Sequence, residues 1–325
     1  MVQLRKKRYR RADQSRGLSR FELNDHYGLE QQVLNLDFEP QTMWMNVGFW
    51  KNNPRSLPQA CQALLEEVLR EAGLDARSDD QHFSVLEVGC GCAEPARFLR
   101  QEFPATFDAY IGITLNACQA DYAAKRLAAD SQKSPTDGHA HQNHIYCADA
   151  ANPSSWPEGL RNDLDQMLLS SHQKSGSTLW LLALDTLYHF APDRKQILTY
   201  ACQDMGASLM ATDIIVPDGL SWLESMKLRL VFWGLQVPWK NVMTYDEYLR
   251  MLVECGYRED NITMTDITEY CFDGFDKFTA EHMERWEAMG GSSVIPRAVR
   301  MMGRLMGWWA SSGVVREYII VAKNV

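Results

Sequence analysis

The stretch Val85-Leu86-Glu87-Val88-Gly89-Cys90-Gly91 decides the fold class, because an apolar run leads into an acid and then into two glycines two residues apart. Glycines at such positions let the chain turn tightly at the carboxyl edge of a strand, where open α/β sheets bind their ligands. Residues 94 to 100 follow as a predicted helix, and the N-terminus of a helix at this edge favours anionic groups. The stretch therefore predicts a nucleotide-type pocket.

The third position of the glycine motif disfavours a dinucleotide. Dinucleotide-binding turns carry a small residue there, and an acid for the ribose follows about 20 residues later. Here Glu94 occupies the third position, and the second predicted strand ends in Thr114 instead of an acid. A carboxylate at the start of the helix would repel a pyrophosphate, so NAD is not the expected ligand.

Apolar runs alternate with amphipathic segments along the rest of the chain. This alternation predicts an α/β fold, with a doubly wound, mostly parallel seven-stranded sheet covered by helices on both faces. The predicted strands are residues 83 to 88, 108 to 113, 144 to 148, 178 to 184, 207 to 214, 261 to 267 and 316 to 322. The predicted helices are residues 57 to 73, 94 to 103, 117 to 129, 158 to 170 and 192 to 203.

Composition and cysteine spacing place the chain among soluble intracellular proteins. Residues 230 to 239 are the longest uncharged apolar stretch, which is too short to span a bilayer. The N-terminus lacks the apolar core of a secretory signal. The eight cysteines show no disulfide-framework or C-x-x-C spacing, so we expect a reduced, cytoplasmic compartment.

Charge is distributed unevenly along the chain. The net charge of −9 argues against a nucleic-acid partner for the body of the protein. Residues 1 to 23 form a basic arm, which is predicted to be disordered and to be a solvated tail, a contact for anionic lipid or a nuclear address. Residues 24 to 325 are predicted to form one domain.

Residues 85 to 91 resemble motif I of class I S-adenosylmethionine (SAM) methyltransferases. From about residue 57 onward, the order of elements is also similar to theirs, and local motifs resemble the small-molecule branch. That branch includes phosphoethanolamine, tocopherol and sterol methyltransferases and cyclopropane fatty acid synthases. The resemblance implies a Rossmann-like methyltransferase fold, SAM as the cofactor and a transferase activity in small-molecule metabolism.

The same resemblance assigns a cofactor site to the strand ends. Glu87 would help to hold the methionine amino group, Gln119 would reach the ribose, and Asp149 would hold the adenine amino group. A helix cap is the rival interpretation of Asp149. The predicted cofactor residues are Glu87, Gly89, Cys90, Gly91, Thr114, Leu115, Gln119, Asp149, Ala150, Leu184 and Asp185.

The fourth predicted strand runs into Leu184-Asp185-Thr186-Leu187-Tyr188-His189-Phe190. Related small-molecule methyltransferases place a His at this point, facing the methyl acceptor. The resemblance therefore makes His189 the candidate general base and Tyr188 a second catalytic candidate. An imidazole with a pKa of about 6.5 can take a proton near neutral pH. A half-buried structural histidine is the alternative.

Aromatic residues in three segments are candidates for the acceptor pocket. Residues 43 to 50 (MWMNVGFW) resemble a pre-domain motif of this branch that folds over cofactor and acceptor. The insertions at residues 215 to 258 and 270 to 314 are predicted to be helical lids, or alternatively helices that simply cover the core. The candidate substrate residues are Trp44, Asn46, Phe49, Trp50, Trp222 and Trp233.

These patterns predict methyl transfer to nitrogen or oxygen of a small-molecule or lipid-like acceptor. A carbon methyltransferase or cyclopropane-type enzyme and a SAM-binding scaffold without turnover are the alternatives. No metal is expected, since His139, His141 and His144 lie in a polar loop without ligand-pair spacing. Arg297, Arg300 and Arg304 are either a solvated face or a peripheral membrane contact. The acceptor and the oligomeric state stay open.

Overall fold

A seven-stranded sheet forms the centre of the protein. The computed structural model describes residues 41–74, 81–133, 142–174, 176–289 and 294–324, so the predicted basic arm lies outside the described residues. The strands are β1 (Phe83–Val88), β2 (Phe107–Thr114), β3 (Gln142–Cys147), β4 (Thr178–Leu184), β5 (Ser208–Ile215), β6 (Ile262–Asp266) and β7 (Arg316–Ala322). Their order is β3-β2-β1-β4-β5-β7-β6. The first five strands are parallel and β7 is antiparallel to both neighbours, which confirms the predicted fold class.

Helices cover both faces of this sheet. The α-helices of the described residues are α1 (Leu57–Ala72), α2 (Glu94–Glu102), α3 (Ala117–Lys133), α4 (Glu158–Gln173), α5 (Lys195–Thr199), α6 (Trp222–Gly234), α7 (Tyr245–Cys255), α8 (Phe272–Ala288) and α9 (Val294–Ser312). Most agree with the predicted ranges within a few residues. The helix predicted for residues 192 to 203 is a single α-helical turn, α5, that continues as the π-helical turn Tyr200–Asp204.

The core has two layers because side chains of a strand alternate between the faces of the sheet. Phe83 and Val85 of β1 face one cluster, together with Leu64 of α1. Leu86 of β1 faces the other cluster, together with Leu160 of α4. Every residue of β1 is buried, as expected for a central strand covered on both faces.

The second insertion folds into the closely packed helix pair α8 and α9. A Cβ atom at Gly303 would lie 2.0 Å from Thr279 Oγ1, and one at Gly307 would lie 2.2 Å from Asp276 Oδ2. Glycines at these positions therefore let the two helix backbones approach. Trp309 of α9 is buried in the core, so this part of the predicted apolar stripe covers the sheet. No helix of the described residues is long and apolar enough to cross a membrane.

Candidate active site

A cavity of about 390 Å³ lies at the carboxyl ends of β1, β2 and β4 and beside the loop that follows β3. This size is within the usual range of small-molecule sites. All eleven residues predicted for the cofactor line it, as do His189, Trp44 and Asn46. The topology explains this convergence, because the carboxyl ends of parallel strands meet at one edge of the sheet. The functional roles of these residues stay predictions.

Glycines shape the turn after β1. Gly89 has φ +71°, and a Cβ atom there would lie 2.2 Å from Thr186 Oγ1 in the loop after β4. Gly91 has φ +52°, and its Cβ atom would lie 2.3 Å from Met45 Cε. Only glycine combines this backbone conformation with such close neighbours. The turn is therefore open to a ligand on one side and tightly packed on the other.

A buried acid stands at the end of β1. Glu87 is 3% exposed and accepts a hydrogen bond from the hydroxyl of Tyr110. Burial raises the pKa of Glu87 to about 8, and the Tyr110 hydrogen bond only partly opposes this rise. No ion pair joins Glu87 to a cationic side chain of the described residues. At neutral pH the group is therefore mostly a neutral carboxylic acid that a bound cation would ionise.

The end of β2 positions a polar pair. Thr114 donates a hydrogen bond to Gln119 Oε1 at 2.9 Å, and Gln119 Nε2 lies 3.6 Å from the sulfur of Met45. Asn116 begins α3 by accepting from the backbone N–H groups of residues 118 and 119. Gln119, the predicted ribose contact, is thus held in place by Thr114 and Met45 and lines the cavity.

Asp149, after β3, both accepts a hydrogen bond typical of a cap and lines the cavity. Its Oδ1 accepts from the backbone N–H of Ala151 at 3.0 Å, as in a cap or turn. The residue is nevertheless exposed and lines the cavity. The indole of Trp156 donates to the Asp149 carbonyl at 2.8 Å, which fixes the backbone at this point.

Residues 43 to 46 cover the cavity and are held at one end by Glu94. The carboxylate of Glu94 accepts from the backbone N–H of Met43 at 2.7 Å and forms ion pairs with Arg126 and Arg97. Both arginines also donate to the carbonyl of Gln41. The acid that argues against a dinucleotide therefore anchors the covering segment.

Asp185 holds the other end of the covering segment. One oxygen of its carboxylate accepts from the backbone N–H of Val47 at 2.8 Å, and the other accepts from Thr212 Oγ1 at 2.7 Å. The residue has φ +51°, an uncommon conformation for a non-glycine residue. Glu317 of β7 is buried beside it, and burial followed by the charge of Asp185 raises the pKa of Glu317 well above its usual range.

His189 ends a short 3₁₀ turn, Leu187–His189, after β4. The imidazole is exposed to the cavity, and partial burial lowers its pKa below the ordinary value. It is therefore neutral at pH 7 and able to accept a proton. Asn241 supports this loop by donating to the carbonyls of Tyr188 at 3.0 Å and Phe190 at 2.7 Å.

A buried ion pair lies behind the loop. Arg194 and Asp213 are both inaccessible to solvent and form a direct salt bridge. Tyr248 donates to Asp213 at 2.9 Å, and the Arg194 guanidinium lies over the Tyr248 ring. Asn241 accepts from the backbone N–H of Arg194 at 3.1 Å. The carboxylate of Asp213 favours the charged form of Arg194 despite its burial.

Five predicted site residues do not line this cavity. Tyr188 points into the core beneath the loop, where burial and nearby acids raise its pKa well above 10. Its phenol does not line this cavity. Phe49 is buried against Tyr270, with ring centroids 5.2 Å apart. Trp50 packs on α8, where its ring centroid lies 5.1 Å from that of Phe278.

The remaining two residues are on the first insertion. Trp222 and Trp233 of α6 are 71% and 82% exposed and do not line the cavity. No described residue of either insertion lines the cavity, and among the described residues the cover comes from residues 43 to 46. The lid hypothesis for the insertions is therefore not supported here.

Ten further residues line the cavity, although no sequence pattern assigned them to a site. They are Met43, Met45, Cys92, Glu94, Pro95, Ile113, Ala148, Thr186, Phe190 and Ala191. The sequence of residues 43 to 50 could have indicated two of them. Trp44 and Asn46 were predicted for the site, and Met43 and Met45, which flank Trp44, line the same cavity. Of the histidine group, His144 pairs with Asp163 at 2.8 Å, and the other two lie outside the described residues.

Comparisons with known proteins support the architecture. No family model and no curated protein matches the chain. Among solved structures, it is similar to a cyclopropane synthase of Mycobacterium tuberculosis, with 13% identity, coverage of 91% of this chain and 96% of that chain, and a TM-score of 0.59. The fold is that of the class I methyltransferases.

Two further structures share this methyltransferase fold and contain a ligand. A mycolic acid cyclopropane synthase complexed with S-adenosylhomocysteine and CTAB has 13% identity, a TM-score of 0.60, and coverage of 91% of this chain and 95% of that chain. A phosphoethanolamine N-methyltransferase of Haemonchus contortus in complex with SAM has 15% identity, a TM-score of 0.56, and coverage of 84% of this chain and 54% of that chain.

Proposed function

We propose that the protein is a SAM-dependent methyltransferase that acts on nitrogen or oxygen of a small-molecule or lipid-like acceptor. One observation carries the proposal: the residues that motif resemblance assigns to the cofactor, from four separate strand ends, line a single cavity together with His189. The methyltransferase fold of the chain is consistent with this function, although the same fold serves many acceptors.

The donor set fits SAM. Glu87 is a buried acid, and no cation of the described residues pairs with it, so the amino group of the methionine moiety would supply the missing charge. Gly89 and Gly91 remove the side chains that would otherwise fill the turn. Thr114 and Gln119 offer hydroxyl and amide groups for a ribose, and Asp149 offers a carboxylate for an amino group.

When bound, SAM supplies a methyl group that is activated by its positively charged sulfur. The protein must then align the acceptor and exclude water, and alignment of this kind is worth roughly 7 to 11 kcal/mol. Residues 43 to 46 lie over the cavity and serve both purposes. Trp44 lines the wall, and an aromatic face near a cation contributes about 0.5 to 2 kcal/mol.

His189 would remove the proton that an amine or hydroxyl acceptor releases. Its lowered pKa keeps the imidazole neutral at pH 7, and its exposed ring lies in the cavity wall. A positioned base contributes roughly 100- to 10,000-fold to the rate. We expect His189→Ala to bind SAM normally and to lose turnover by a factor in this range.

Carbon methylation is a second candidate, which Asp185 supports. That chemistry forms a carbocation, and the carboxylate of Asp185 lines the cavity while it is held by Thr212 and Val47. The structure of the product separates the two candidates. An alkene acceptor that gains a carbon–carbon bond would favour this second function over methyl transfer to nitrogen or oxygen.

The test uses the full chain. Calorimetry with SAM and S-adenosylhomocysteine measures binding, and a panel of amines, phenols, carboxylic acids and lipids is screened for release of S-adenosylhomocysteine. Mass spectrometry should find one acceptor heavier by a methylene unit. Absence of binding at millimolar SAM would overturn the proposal, and binding without turnover across the panel would indicate the scaffold instead. Wild-type turnover by His189→Ala would exclude the base.

A further inference from the structure

Helix α6 carries large apolar side chains on both of its faces. Leu228 and Phe232 face inward and are buried in the core. A helix that is apolar all round normally has a partner on each face. The outward side chains are Trp222, Leu223, Met226, Leu230 and Trp233, which are 71%, 62%, 43%, 67% and 82% exposed. Contiguous exposed apolar surface of this kind marks an interaction site.

The charges of the segment that contains α6 are mainly positive. Residues 221 to 241 contain three cations, Lys227, Arg229 and Lys240, and all three are exposed. The one acid in this range is Glu224, whose carboxylate accepts from the backbone and hydroxyl of Ser221 in the capping box of α6. The segment therefore carries a net charge of +2 in a chain whose total is −9. It complements an anionic surface.

We propose that the outer face of α6 docks on an anionic lipid bilayer. The tryptophans at its two ends suit the interfacial region, where amphipathic aromatic rings are enriched, and the flanking cations suit acidic head groups. Since no described helix is suited to crossing a membrane, α6 would lie in the plane of the interface. A second copy of the chain is a poorer partner, because two such faces would bring like charges together.

Helix α9 is a weaker anchor than α6. Its Arg300 forms an ion pair with Glu287 of α8 at 2.7 Å, so part of its charge is already neutralised within the protein. Met301 is 71% exposed, but the buried Trp309 packs against the ring of Phe232 on α6. The two helices are therefore in contact, and α9 can only extend a surface whose main apolar side chains belong to α6.

The docking face is joined to the cavity by a short path of contacts. Immediately after α6, the 3₁₀ turn Trp239–Asn241 places Asn241 against the carbonyls of Tyr188 and Phe190. Phe190 lines the cavity. If the proposed function holds, a bilayer at α6 would supply the lipid-like acceptor near the site, a consequence that rests on that function. The docking itself does not depend on it.

Vesicle flotation of the full-length protein tests the docking. The probes are vesicles of phosphatidylcholine alone and of phosphatidylcholine mixed with phosphatidylserine. We expect binding to the mixed vesicles, weaker binding at high salt, and a loss of about tenfold or more in the double variant Leu230→Glu and Trp233→Glu. The matched control is Leu169→Glu on α4, at a position that is 62% exposed, and it should bind like the wild type.

Other outcomes would overturn the proposal. Equal vesicle binding by the wild type and the double variant would overturn it. So would a result in which binding is lost only when the arginines and lysines of residues 1 to 23 are replaced. Sedimentation that shows a dimer dissolved by the double variant, without vesicle binding, would assign the face to a second copy. Circular dichroism shows that each variant is folded, and SAM calorimetry on the same variants separates failure of docking from failure of the proposed function.

Discussion

Replacement of Glu87 by Gln gives a quantitative test of the site. In the protein without ligand, burial raises the pKa of Glu87 from 4.5 to about 8. An acid whose folded pKa is raised binds its proton more tightly when folded, so its contribution to stability is greatest below pH 4.5 and is lost as the pH rises toward 8. Between pH 5 and pH 8 this loss is about 3.5 kcal/mol, since the slope is about 1.36 kcal/mol per pH unit and falls off near pH 8.

Gln has nearly the same shape as Glu and does not titrate. The stability of Glu87→Gln should therefore not fall as the pH rises from 5 to 8. Urea unfolding at pH 5, 6.5 and 8 measures the difference in unfolding free energy between the wild type and Glu87→Gln. From pH 5 to pH 8 this difference should shift by about 3.5 kcal/mol in favour of the variant. Glu66→Gln, an exposed acid on α1, is the charge-matched control and should show little shift. Parallel pH profiles for the wild type and Glu87→Gln would refute the burial argument.

The same group links cofactor binding to pH. A bound cation requires the carboxylate, so SAM binding at pH 7 should release about one proton, because a group with a pKa of about 8 is mostly protonated there. Affinity should therefore rise as the pH approaches 8. Calorimetry in buffers of different ionisation enthalpy counts the proton. Glu87→Gln should bind SAM more weakly and release none, and proton release unchanged by the substitution would assign the linkage to another group.

Three further perturbations test the surroundings of the cavity. Gly89→Ala should weaken SAM binding and should cost more stability than Gly206→Ala. Both glycines have positive φ, and an alanine in that backbone conformation costs about 1 to 2 kcal/mol, but only Gly89 is also crowded by neighbouring atoms. Asp213→Asn should cost about 3 to 5 kcal/mol in urea unfolding because it leaves Arg194 without its partner, whereas Glu254→Gln in an exposed pair should cost far less. Glu317→Gln should be tolerated.

Contrary results would identify the faulty step. Equal losses in the two alanine variants would show that crowding at Gly89 relaxes freely. A cost for Asp213→Asn no larger than that for Glu254→Gln would show that Arg194 finds water or another acceptor in place of the ion pair.

Strand positions, and the edge of the sheet that carries the cavity, were predictable from local sequence. Residues 178 to 184 and 316 to 322 were predicted without a boundary error, because apolar runs ending in turn formers report burial directly. Parallel strands then bring their carboxyl ends together, so motifs at four strand ends had to share one cavity. Local pattern and topology together therefore determined which edge of the sheet carries the cavity.

The direction of aromatic side chains was not predictable in the same way. Periodicity reports that a residue is buried or amphipathic, but not which neighbour covers it. Trp50 therefore looked like a pocket wall, although its partner is α8, more than 200 residues away in the chain. Trp222 and Trp233 looked like parts of a lid, although their helix turns them toward solvent.

Only the fold reveals that Asp185 and Glu317 are neighbours. The two acids are 132 residues apart in the chain, and they meet where β4 and β7 lie in one sheet. Burial and then the charge of Asp185 raise the pKa of Glu317 well above its usual range, which favours the protonated form. In that form Glu317 can donate to Asp185, and Asp185 in turn accepts from the backbone N–H of Val47. Gln in place of Glu317 keeps a donor, whereas Leu removes it and leaves the carboxylate less well held.

Hydrogen exchange at the Val47 amide measures this chain of contacts. We expect faster exchange in Glu317→Leu and Asp185→Ala, and exchange close to that of the wild type in Glu317→Gln. The Gln variant should also gain stability relative to the wild type as the pH rises above 4.5, because it lacks a group whose folded pKa is raised. If the Val47 amide exchanges equally fast in the wild type and Asp185→Ala, the covering segment depends on its Glu94 end alone, and Asp185 is available to the acceptor instead.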